Sequence, residues 1–120
     1  MTFDVEIVLK GRDSAVTQAL TIPHGEPASW GDEAVRDALV SILRAIDRVG
    51  HPDVEPDRGV VLRGFSWIVE PSGSGVVLAI EIPMGAAVAG PFAIGQQEFD
   101  AMIARVLRGA GAGSGLPTVH

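Results

Sequence analysis

The chain has 120 residues, of which 47% are hydrophobic and 20% charged, the size and composition of one globular domain that buries about two thirds of its unfolded surface around a single core. Its formal net charge is -6, with nine basic residues scattered among fifteen acids, so it lacks the basic stripe that phosphate neutralisation needs and no nucleic-acid partner is expected. With no cysteine, disulfides, thiolate metal sites and cysteine nucleophiles are excluded.

The opening residues show neither the basic nor the apolar region of a signal peptide, and no uncharged apolar run reaches the ~20 residues of a spanning helix. A cytoplasmic location away from membranes is the expectation. Residues 5 to 23, VEIVLKGRDSAVTQALTIP, alternate apolar and polar side chains on either side of GRDS and read as a β-hairpin. Residues 30 to 44 turn helical. Trp30, Val35, Ala38, Leu39, Ile42, Leu43 and Ile46 recur every three or four positions, with Ser29 as the expected cap and Gly50 and Pro52 as the stop. HPDVEPD (51 to 57) alternates acids in the manner of a calcium loop, but Arg58 and Gly64 stand where the required Gly and bidentate Glu would be. It reads as a Pro-stiffened crossover.

Residues 65 to 83, FSWIVEPSGSGVVLAIEIP, form a second predicted hairpin. Shifted by sixty residues it overlies the first without a gap, in apolar phase, and both copies end in Ile-Pro. A second amphipathic helix follows from about residue 94, with Phe99, Met102, Ile103, Val106 and Leu107 on its apolar face and Gly109 as its end. The order predicts an α+β fold, a ββα-ββα duplication (3–50 and 60–109) giving a four-stranded antiparallel sheet with two helices on one face. Residues 110–120 read as a flexible Gly-rich tail.

The copies diverge in one place. HGEPASW links the first hairpin to its helix, whereas MGAAVAGPFAI (84–94) does so in the second, longer and without any charge. This segment is expected to be a loop that either packs under its helix or stays exposed as a contact surface. Taken as exposed, it assigns binding to Trp30, Met84, Val88, Pro91 and Phe92. Trp30 is the tryptophan expected to be partly exposed, and Trp67 the one expected in the core.

The sheet face away from the helices, with Asp4, Glu6, Val8, Ala19, Ile68, Val77, Ala79 and Glu81 outward, is a second candidate surface. Glu6 and Glu81 form a catalytic pair only if strand order brings them together.

His24, His51 and His120 show no metal-ligand spacing, and His24 beside Glu26 lacks a nameable nucleophile. PSGSG and GAGAGSG lack the lysine of a phosphate loop. No cofactor or metal is implied. The reading is a non-enzymatic protein that associates with itself or another protein. The alternative is a binder of a small apolar ligand, or a cofactor-free isomerase-like enzyme, with a pocket under the uncharged segment, lined by Trp30, Met84 and Phe92, with His24 as acid or base.

Overall fold

The computed structural model describes residues 1–51, 62–73 and 75–112. The crossover acids, Ser74 in the second hairpin turn and the tail beyond residue 112 lie outside them. Both predicted hairpins are present. Strand β1 (Thr2–Leu9) pairs antiparallel with β2 (Val16–Thr21), placing Phe3 opposite Leu20 and Ile7 opposite Val16. Strand β3 (Ser66–Ser72) pairs with β4 (Gly75–Ile82) from Ser66↔Glu81 to Ser72↔Gly75. In β1 every second side chain is buried, which is the expected result of one covered face.

The sheet has five strands rather than four. Residues Gly85–Phe92, within the segment read as a loop, form strand β5, and the order is β2-β1-β5-β4-β3, antiparallel throughout. This strand is central: Ile7 and Ile80 both lie opposite Ala87, one on each side. Its sequence, GAAVAGPF, hides the fact because glycine, alanine and proline are depleted from strands and carry no marked polar alternation. The strand is held by its ladders to two neighbours rather than by intrinsic preference.

Two glycines make that position possible. A Cβ on Gly85 would run into the backbone of Val8 and Leu9, and Gly90 has φ +118°, a conformation that L side chains rarely adopt. Gly90 and the cis-linked Pro91 fall where the β4–β5 register shifts, between the pairs Val76↔Phe92 and Leu78↔Ala89. Proline has no N–H to give to a ladder, and a bulge is where a sheet tolerates it.

The hairpins, superimposable in sequence, are not equivalent in the sheet. β1 is interior, whereas its sequence counterpart β3 is an edge. An internal two-fold therefore does not relate them.

Helix α1 (Asp32–Gly50) packs on β1, β2 and β5, and helix α2 (Gln96–Ala112) on β3 and α1. Both contribute to one core, in which Val5, Ile7, Leu39, Ile42, Ile80 and Ile103 are almost wholly buried. Each such side chain contributes about 1.5–3 kcal/mol of transfer free energy.

The helix ends differ from expectation. Ser29 closes a single 3-10 turn (Pro27–Ser29), its Oγ donating to the Glu26 carbonyl at 2.8 Å, and Gly31 takes the N-cap position of α1 without a side-chain bond. Helix α2 runs through Gly109, its predicted end, to Ala112, so residues 110–112, read as tail, are helical. Among the described residues no helix is long and apolar enough to cross a membrane.

The two helices are tied outside the core by Arg105, whose Nη2 donates to Asp32 Oδ1 at 2.9 Å and whose Nε donates to Oδ2 at 3.1 Å. These hydrogen bonds, reinforced by the guanidinium charge, hold the Asp32 carboxyl below its usual range. A carboxyl lowered on folding stabilises the fold above its ordinary titration range, and that contribution disappears as the pH falls through the lowered value. The thermal midpoint of Arg105→Gln should therefore lie modestly below wild type at neutral pH, and the gap should close on acidification past the ordinary carboxylate range. Phe92, fully buried between sheet and helices, should be far more costly. Urea denaturation of Phe92→Ala should show a loss of about 3–5 kcal/mol.

Candidate interaction surface

The alternation that buries one face of the sheet leaves the other bare. Opposed pairs extend one outer row across all five strands: Thr17 faces Glu6, Glu6 faces Val88, Val88 faces Ala79, and Ala79 faces Ile68. The next row runs Val8, Ala86, Glu81, Ser66. Directly opposed side chains on one face have Cβ atoms about 5 Å apart, so these residues form a continuous surface.

Its apolar residues run on a diagonal with carboxylates directly beside them, since Glu6 opposes Val88 and Glu81 opposes Ala86. Val8 is 40% exposed, Val88 42% and Ile68 54%, values that set them apart from the core valines and isoleucines on the other face. Ala79 and Ala86 lie between them, half-buried. Asp4, Glu6, Glu70 and Glu81 are exposed on the same face. Glu6 and Glu81 belong to strands separated by β5, about 10 Å or more at two strand spacings. They do not form a proton-sharing pair.

The predicted binding residues divide among three environments. Trp30 and Phe92 come together, but inside. Their ring centroids are 5.4 Å apart, and Phe92 also packs edge-on against Phe3 at 5.1 Å and Phe99 at 5.4 Å. Trp30, expected to be partly exposed, is only 7% so, because the 3-10 turn folds it under α1 and its indole N–H donates to the Gly25 carbonyl at 2.8 Å. Met84 lies in the β4–β5 turn, half-buried against Gly50 at the end of α1. Pro91 is exposed beside the register shift. Of the five, Val88 lies in the middle of the outer sheet face.

Trp67 is half-buried on β3. A cavity of about 1040 Å³ opens at the sheet end near Lys10, Arg63 and Gly85, and neither Trp30, Met84 nor Phe92 lines it.

His24 meets Asp37 rather than Glu26. Its Nε2 is 2.7 Å from Asp37 Oδ2, part-buried, while the amine of Met1 donates to the carbonyls of Ile22 and His24. The contact fastens the link after β2 to α1, and no hydroxyl is hydrogen-bonded to the imidazole among the described residues. Nor do the described residues gather three or more His, Cys, Asp or Glu side chains around a metal-sized site.

Ala86 and Glu70 were missed as surface residues because their placement depends on β5 and on the β3 register. The signal available was the outward phase of VVLAI in β4, extended across the uncharged segment.

Replacing Trp30 by Phe keeps the aromatic packing but leaves the Gly25 carbonyl without its indole donor. Chemical denaturation should register a loss of about 1–2 kcal/mol, with the near-ultraviolet signal of the remaining fold retained.

No protein-family model matches the sequence, and no match is found among curated proteins or solved structures.

Proposed function

We propose that this protein works by association with another protein surface, through the outer face of its sheet. The observation that carries the reading is the apolar patch of Val8, Val88 and Ile68, each 40% to 54% exposed, joined by Ala79 and Ala86. Small and β-branched side chains let a second layer approach to the ~10 Å at which sheets pack. Contiguous exposed apolar patches are a feature of docking surfaces. Of the residues first assigned to binding, Val88 is then a central contact. Met84 and Pro91 are peripheral, and Trp30 and Phe92 support the sheet from below.

Two partners fit, and their electrostatics have opposite signs. A second copy presents the same flat patch and gives an isologous dimer. It also brings Asp4, Glu6, Glu70 and Glu81 towards their own copies, so dimerisation is opposed by like charge and strengthens as salt screens it. A different protein whose apolar contacts are interspersed with basic side chains is instead favoured by those four carboxylates, and its binding weakens with salt. The four carboxylates and the net charge of -6 favour the second partner, whereas the smallness of the side chains favours the first.

Light scattering separates them. If the copy is the partner, wild type shows twice the monomer mass at high concentration, increasingly so with salt, and Val88→Asp or Ile68→Asp restores the monomer. If wild type is monomeric throughout, self-association is ruled out. Cross-linking in the cells that make the protein then tests the other partner. A basic protein joined to wild type but not to Val88→Asp supports the reading, and equal joining of both overturns it.

A further inference from the structure

Four of the nine basic residues of this acidic chain meet at one place. Lys10 and Arg12 follow β1, Arg63 precedes β3, and Arg108 lies near the end of α2, yet all four line the cavity of about 1040 Å³ at that end of the sheet. Antiparallel order explains the meeting: the end of β1, the end of β4 and the start of β3 share one side of the sheet, as the row Val8, Ala86, Glu81, Ser66 shows. None of the four forms an ion pair among the described residues, whereas Arg105 is fully engaged by Asp32. The only carboxylate among the described lining residues is Glu81.

The same cavity has an apolar wall. Phe65, Trp67, Ile82 and Leu107 line it, each only partly buried by its own fold. Four cations gathered with one carboxylate, Glu81, among the described lining residues raise the local potential in a chain that is otherwise negative, and a recess concentrates that potential. Large side chains left half-covered beside them offer area to a ligand body.

We infer that this cavity binds an amphipathic organic anion, a carboxylate or phosphate ester carried on an aliphatic or aromatic body. The head lies among Lys10, Arg12, Arg63 and Arg108, where guanidinium groups can form paired charge-assisted hydrogen bonds to its oxygens. The body lies against Phe65 and Trp67. The volume is ample for a ligand of about twenty to thirty non-hydrogen atoms. Val88 does not line the cavity, although Val8, Ala86 and Glu81 belong both to it and to the outer sheet face, and the inference does not rest on the association reading.

The probe is anilinonaphthalene sulfonate, which has an anionic head on an aromatic body, titrated into the folded full-length chain by calorimetry. One molecule should bind per chain, with affinity falling as salt rises. Arg63→Ala and Arg108→Ala should each weaken it about tenfold, while Arg44→Ala, an exposed cation on α1 outside the cavity, should leave it unchanged. Phenylnaphthylamine, the same body without the charge, should bind at least about tenfold more weakly, and inorganic phosphate, a head without a body, weaker still. Decanoate and decyl phosphate then distinguish the two head groups, and displacement of the probe by either supports the site.

Circular dichroism of each variant guards against misfolding. Equal affinity in wild type and in a folded Arg63→Ala, Arg108→Ala double variant would overturn the inference. So would equal affinity for the uncharged probe, or no displacement by either decyl compound. Val88→Asp should keep the binding, so failure here and failure of the association reading are read separately.

Discussion

Within the sheet, the two hairpins of this protein are not hydrogen-bonded to each other. β1–β2 and β3–β4 are joined only through β5, which is hydrogen-bonded to β1 along one edge and to β4 along the other. An isolated two-stranded hairpin is marginal in water, and three or more strands over an apolar face are needed for a stable sheet. The most featureless stretch of the sequence therefore unites the structure. Its glycines and alanines fit that role: Gly85 admits the close backbone of Val8 and Leu9, and Ala87 and Ala89 are almost completely buried on the helix side.

What could be read from the sequence follows from periodicity. Alternation in VEIVLK and VVLAIEI gave both hairpins and the correct inward phase, since Val5, Ile7, Val69, Leu78 and Ile80 are all buried. The spacing of Leu39, Ile42, Leu43 and Ile46 gave the first helix in the same way. The fifth strand escaped because Ala-Ala-Val-Ala carries no polar positions to mark a period, and because comparison of the hairpins presented the extra residues as an insertion. An apolar run of four to eight residues bounded by turn residues is equally a buried strand. The Gly-flanked segment met that description.

The candidate surfaces were legible only in part, for the same reason. Val8, Ile68 and Ala79 follow from hairpin phase alone, but their adjacency needs β5, which places Val88 and Ala86 between them. Trp30 and Phe92 stand out in sequence as large apolar groups near an uncharged segment, and that size is what encloses them with Phe3 and Phe99. The basic recess was not legible at all. Lys10, Arg12, Arg63 and Arg108 are remote in sequence, and only the strand order collects them.

The late position of β5 in the chain bears on how the protein is made. During synthesis the first hairpin and α1 leave the ribosome well before residues 85–92, so their apolar faces must wait without the strand that closes the sheet. Contacts between such distant segments slow folding, since loop closure precedes its reward. The nascent chain thus passes through an interval in which the inner edge of β1 is unpaired, and its acidic side chains at positions 4 and 6 keep neighbouring chains apart until the last strand arrives.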